Sequence, residues 1–169
     1  MQPLKLLFSL YFIFYISNNM EFQREINIRR YLGDERYNYN DTYIAFLFIP
    51  KIGFERGLYE KESPLNNISY NIAFLDESEY PRDNSNTIII GHNGNSSISY
   101  FEDLKHLTIG DSIYLYYDNY KYHFVVADIY TVLKTGYVKI RRDNSKKTIT
   151  LITCFERNKQ LVIIGYEKK

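Results

Sequence analysis

Apolar and polar positions divide the chain into three stretches. The first is an apolar run from Leu6 to Ile16, broken only by Ser9, with Lys5 before it and Asn18-Asn19 after it. Charge, apolar core and polar flank in that order have the shape of a secretory signal or signal-anchor. A spanning helix needs roughly 20 apolar residues, so Leu4 to Met20 suffices only with Lys5 snorkelling and the asparagines at the interface. No small-x-small cleavage site follows the run, which favours an uncleaved membrane anchor over residues 1–20. The second stretch, residues 21–41, is polar and charged. Ile26, Ile28, Tyr31 and Leu32 fall on one face of a short helix, and the stretch is expected to act as a spacer.

From residue 43 the pattern changes to short apolar runs rich in β-branched and aromatic residues. Tyr43–Ile49 ends at Pro50, and Ile68–Leu75, Thr87–Gly91 and Ser112–Tyr117 follow. Asp118-Asn119 is a turn pair, so Ser112–Tyr117 and Tyr120–Thr131 read as a hairpin. In its second strand Tyr122, Phe124 and Val126 face opposite to His123 and Val125. Val138–Arg141, Thr148–Thr153 and Leu161–Tyr166 complete the set. A helical turn is expected at 99–104, with Ser99 as a cap and Glu102 and Asp103 in the first turn. Seven or eight strands with few helices predict a mostly β domain over residues 42–169, either a closed barrel or a sandwich.

Composition narrows the function. The 21 basic and 20 acidic residues of the 169 leave a net charge of +1, so no electrostatic argument favours nucleic acid. The single cysteine, Cys154, excludes an internal disulfide and a cysteine-based zinc site. A lone cysteine is more often a small buried hydrophobe than a reactive group. Cys154, however, directly follows the strand ending at Thr153, at a rim where a pocket can form. A thiol there needs a base or a charge beside it to act as a thiolate near neutral pH. His106 follows a lysine in a polar segment, and His123 lies within a tyrosine-rich hairpin. His92 instead follows the apolar strand Thr87-Ile88-Ile89-Ile90-Gly91 and opens a Gly/Asn/Ser loop. A strand-end cysteine and a strand-end histidine are a plausible nucleophile and acid/base pair.

Five segments, in order, carry a family resemblance. They are Tyr43–Ile52 with its Ile49-Pro50-Lys51-Ile52 turn; Asn86–His92; Ser99-Tyr100-Phe101 to Leu104; Leu107 with Gly110-Asp111; and Thr150-Leu151-Ile152-Thr153-Cys154, which fits a T-L-x-T-C signature. Over residues 42–169 the chain resembles the sortases, and its loop Gly94–Phe101 looks nearer to class B/D-like members than to class A. The resemblance implies a closed sortase β-barrel and a cysteine transpeptidase. Cys154 would attack the Thr–Gly carbonyl of an LPxTG-like signal on a surface protein and form a thioacyl-enzyme. His92 would protonate the leaving amine and deprotonate the incoming one. That amine belongs to a peptidoglycan precursor or to a lysine of another surface protein. The expected location is the cell membrane, with the catalytic domain outside.

One position departs from the family pattern. Sortases open the last strand with an arginine, where this chain has Gln160 before Leu161-Val162-Ile163-Ile164. Glutamine donates a hydrogen bond but brings no charge. Gln160 and Arg157 are therefore both candidates for stabilising the oxyanion, with Arg141 and Arg142 next and Lys159 behind them. The same departure keeps open a rival in which the barrel binds sorting signals and turns over weakly or not at all. Asp76, Glu77 and Glu79 form an acidic turn, for which solvation is favoured over calcium, so no cofactor is expected.

Overall fold

The structure is a computed structural model and describes residues 43–168. The expected anchor at 1–20 and spacer at 21–41 lie outside the described residues. Eight strands form one sheet: β1 Ala45–Ile49, β2 Phe54–Leu58, β3 Ala73–Phe74, β4 Asn86–Gly91, β5 Ser112–Tyr117, β6 Tyr120–Leu133, β7 Thr148–Phe155 and β8 Lys159–Glu167. Their order is β2-β1-β5-β6-β8-β7-β4-β3, antiparallel except for the parallel pair β4–β7.

Alternation along the strands decides what lies inside. Ala45, Leu47 and Ile49 of β1, Ile113 and Leu115 of β5, and Ile149 and Leu151 of β7 all point into one core, which Phe101, Leu104 and Phe124 also fill. Burying each large apolar side chain is worth about 1.5–3 kcal/mol relative to exposure, so this alternation sets the curl of the sheet. The barrel is nearly closed rather than closed, because no ladder joins the edge strands β2 and β3. Side chains manage that seam. The buried Asn71 amide donates to the Gly57 carbonyl of β2 at 2.7 Å and accepts from the Arg56 Nε at 2.6 Å. Asn66 covers the β3 edge, accepting from the Phe74 N–H at 2.8 Å and donating to its carbonyl at 3.0 Å. Unpaired strand edges invite pairing with other chains, and an asparagine can satisfy both backbone groups of one residue.

The β5–β6 hairpin turns as its sequence predicts, with Asp118 and Asn119 both at positive φ (49° and 63°), the requirement of the two-residue turn that matches strand twist. As expected, Phe124 and Val126 are buried in the core, and Tyr122 packs against it. Beyond them the register of β6 on β8 shifts between Val126 and Asp128. This bulge reverses the alternation. Ile129 now packs on the core, while Tyr130 and Val132 join a cluster on the outer face.

Several sequence expectations are corrected. Val138–Arg141 is not a strand but part of the β6–β7 loop. Of Ile68–Leu75, only Ala73–Phe74 pairs. The strand Phe54–Leu58 went unrecognised because Gly57 and the charged Glu55 and Arg56 hide its pattern. The helical turn is a 3-10 segment at Glu102–His106 whose N-cap is Phe101, without a side-chain cap bond. Ser99 contributes its backbone carbonyl to the Glu102 N–H instead.

Candidate functional site

The outer face of the barrel carries a second apolar cluster. Ile88 of β4, Ile152 of β7, and Val162 and Ile164 of β8 are buried there, with Ile90, Tyr130 and Val132 packed beside them. Strands normally show polar residues on such a face. Here the β6–β7 loop lies over it and brings Val138 and Ile140 onto the same strip. Two tyrosines tether the loop. The Tyr130 hydroxyl donates to the Lys139 carbonyl at 3.2 Å and accepts from the Arg141 N–H at 2.9 Å, and the Tyr166 hydroxyl accepts from the Asp143 N–H at 2.8 Å. Burial raises the Tyr130 hydroxyl above its ordinary value, against the opposing influence of Arg141.

Cys154 stands at the end of this strip. The core faces Ile149 and Leu151 with one side of β7, so Ile152 and Cys154 belong to the other. Cys154 is half-buried and is followed in β7 by one further residue, Phe155. The expectation of a strand-end thiol is therefore met to within one residue, on the outer face near the rim.

His92 reaches the same end through the parallel pair. Ile90 lies opposite Ile152 and Gly91 opposite Thr153. One residue further, His92 comes level with Cys154 on the neighbouring strand, and adjacent strands lie about 4.7–4.9 Å apart. Two bonds hold the strand ends together, and a third closes the loop that follows His92. The buried Thr153 hydroxyl donates to the Gly91 carbonyl at 2.8 Å, the Asn93 amide donates to the Cys154 carbonyl at 2.7 Å, and the Phe101 N–H closes the loop on the His92 carbonyl at 2.9 Å. Gly91 is dictated by packing. A Cβ there would stand 2.9 Å from the Phe101 ring and 3.0 Å from the Ile72 Cγ2.

On the other flank of Cys154 lies Gln160, its direct partner in the β7–β8 ladder, and beyond it Val132, the partner of Gln160 on β6. A single row thus crosses three strands, Val132, Gln160 and Cys154, and His92 continues its direction one residue past the end of β4. Arg157 is exposed in the turn between β7 and β8. Lys159 pairs with Glu156 at 2.8 Å. Arg141 lies over the Tyr130 ring at 4.6 Å. Arg142 binds the Asn84 and Ser85 carbonyls, ahead of β4, and so sits at the opposite end of that strand from His92. One residue escaped the sequence analysis. The Lys134 Nζ is 3.6 Å from the Cys154 Sγ. Its place just after β6 was visible, but its face depends on the β6 bulge.

The other histidines lie elsewhere. His106 pairs with Asp103 at 3.7 Å on the surface. His123 hydrogen-bonds Ser112 at 2.9 Å and stacks on Tyr114 on the outer face of β5–β6. In the acidic turn, Glu79 is engaged by Arg82 at 2.6 Å and by the Asn86 N–H at 3.3 Å. Those two partners hold its carboxyl below the usual range.

The fold and the site define a class: a nearly closed eight-stranded barrel with a cysteine near the end of β7 and a histidine directly after the adjacent parallel strand β4. Residues 47–168 match the Sortase domain family, and the chain belongs to it. A Sortase A of Bacillus anthracis is 29% identical over 125 residues, which span 72% of this chain and 58% of that relative's length. Sortase A from Corynebacterium diphtheriae, solved as a lid mutant, superposes with a TM-score of 0.68 at 22% identity, covering 83% of this chain and 76% of that one. A Clostridium perfringens sortase C, solved with the C-terminal cell wall sorting motif, gives 0.66 at 20% identity over 75% and 71%.

Proposed function

We propose that the chain is a membrane-tethered transpeptidase, facing outward, with Cys154 as nucleophile and His92 as acid and base. The observation that carries this reading is the parallel register of β4 and β7, which ends Asn86–Gly91 and Thr148–Thr153 level with each other. His92 and Cys154 are each the next residue after the last pair of that ladder, Gly91 and Thr153, which supports the pairing of the two. Ile90 and Val132, beside the outer apolar strip and only partly buried, suit the apolar residues of an LPxTG-like signal arriving at the thiol. The sorting motif held by the C. perfringens relative supports the same substrate class.

In the proposed reaction the Cys154 proton passes to His92. The thiolate forms a bond to the Thr carbonyl carbon, and the carbonyl π pair moves to oxygen. Gln160, level with the cysteine on β8, donates its amide to that oxyanion. When the intermediate collapses the C–N bond breaks, and the departing amine takes the proton from His92. The incoming amine, from a peptidoglycan precursor or a protein lysine, then loses a proton to His92 and displaces the thiolate. Residues 1–20 hold the chain in the membrane, with Lys5 on the inner side.

The test incubates the full chain in detergent with a library of sorting-signal peptides and follows its intact mass. One hydroxylamine-labile acyl group on Cys154 is expected. Cys154→Ala removes it, and His92→Ala slows its formation by about 10²–10⁴. An acyl group that survives Cys154→Ala, or none from any peptide, refutes the proposal.

A further inference from the structure

Cys154 has a charged neighbour that this mechanism does not use. Lys134 directly follows β6, and its N–H donates to the Asn158 carbonyl at 2.9 Å. That bond pins the start of the β6–β7 loop to the β7–β8 turn, beside the thiol. From there the side chain brings its Nζ to 3.6 Å from Sγ. The arrangement follows from the bulge in β6. After it, even-numbered residues face outward, so Tyr130, Val132 and then Lys134 lie on the side that carries Cys154.

Among the described residues Lys134 is the one lysine or arginine within hydrogen-bonding reach of the sulfur. Lys159 is taken by Glu156, Arg141 lies on Tyr130, and Arg142 is held at the far end of β4. Gln160, in the same row as the thiol, is neutral. Acyl transfer places negative charge first on the sulfur and then on an oxygen two bonds from it, and an ammonium at that point stabilises both. A four-carbon stem with free rotation follows the charge from one atom to the other.

We propose that Lys134 is a third catalytic residue, supplying from β6 the positive charge that β8 lacks. The proposal rests on the thiol mechanism above. Its balance is simple. The Sγ proton goes to His92, the S–C bond forms as the π pair moves to oxygen, and Lys134 keeps its three protons throughout. Because Lys134 is exposed, its charge is partly screened. Its removal should therefore cost less than the 10²–10³ of a buried oxyanion donor, on the order of tenfold.

The experiment compares the full chain with Lys134→Met and Lys134→Arg. Cys154 is the only thiol in the sequence, so iodoacetamide reports on it alone. At neutral pH and low salt, Lys134→Met should alkylate about tenfold more slowly, and Lys134→Arg near the parent rate. Added salt should slow the parent and leave Lys134→Met unchanged. With a sorting-signal peptide, Lys134→Met should lower kcat at constant KM, and Lys134→Arg should restore it. Parent-like alkylation and salt dependence in Lys134→Met overturn the proposal. So does a hydroxylamine-stable acyl group on Lys134, which requires a neutral amine there. Alkylation needs no substrate, so the two failures separate. If the alkylation difference holds but no peptide acylates the parent, the transpeptidase reading falls, and the catalytic role of Lys134 falls with it.

Discussion

Thr153→Val tests whether the bond between the two strand ends sets the site. Thr153 is 3% exposed, and its hydroxyl donates to the Gly91 carbonyl at 2.8 Å. Each partner is the residue before a proposed catalytic one. Valine has nearly the same shape and is favoured in strands, so no cavity opens and the backbone has no reason to rearrange. The loss is one buried hydrogen bond, with the Gly91 carbonyl short of a donor. That costs about 1–2 kcal/mol, or a fall in Tm of ~4–8 °C for a domain of this size. Without the tie, His92 is free to drift from Cys154, and misplacement by about 1 Å at a reacting centre costs up to 10² in rate. A tenfold loss of kcat, on the order of half that in logarithmic terms, is expected. Thermal unfolding by circular dichroism and single-turnover acylation measure the two effects. Thr153→Ser, which keeps the hydroxyl, should recover most of the rate while losing some stability. A valine variant with parental Tm and parental kcat would refute the argument.

Gln160→Ala should lower kcat by ~10²–10³ at constant KM, whereas Arg157→Ala, exposed in the turn, should leave both unchanged; steady-state kinetics distinguishes them. Asn71→Ala removes the donor to the Gly57 carbonyl at the barrel seam and should cost about 1–3 kcal/mol in urea unfolding. Burial first, then the charges of Lys168 and Lys121, hold the His123 imidazole below its ordinary value of 6.5. The unfolded chain therefore takes up that proton first, and stability falls as pH drops through about 6.5. His123→Gln should flatten this part of the curve, and urea midpoints at stepped pH read the difference. Full-length protein should partition with membranes, and the chain without residues 1–20 should not; a full-length chain that stays soluble and unprocessed counts against the anchor.

Most of the fold was legible where local pattern and tertiary demand agree. The hairpin announced itself in Asp118-Asn119, since both residues tolerate positive φ. The runs at Thr87–Gly91 and Thr148–Thr153 read as strands because each is buried on both faces, as a parallel pair requires. Elsewhere the pattern pointed to burial without revealing its kind. Val138 and Ile140 alternate like a strand because they cover the outer strip, yet they pair with nothing. Ile72 is buried before β3 but lies outside the ladder, which is only two residues long. Conversely, Phe54–Leu58 pairs fully with β1 although Glu55 and Arg56 break its apolar run, because an edge strand needs only one side buried.

The site was legible in part for a reason of the same kind. Cys154 and His92 each close an apolar strand, and a strand end is a local property that one segment of sequence displays. The other half of the row is set by pairing between segments distant in sequence. Gln160 faces the thiol because β8 returns antiparallel to β7 through a three-residue turn, which makes it the near member of a hairpin. Lys134 faces it because a bulge between Val126 and Asp128 reverses the parity of β6, and unbroken alternation from Phe124 would turn Lys134 inward instead. The row also bears on the departure at Gln160. Its positions lie on neighbouring strands, and from the end of β6 the Lys134 Nζ comes within 3.6 Å of the thiol, so a charge needed there can enter from β6 as well as from β8. A glutamine in the arginine's place removes the charge from one strand without removing it from the site. Retained activity in Lys134→Arg and loss in Lys134→Met, with Gln160 unchanged, is the pattern this argument requires.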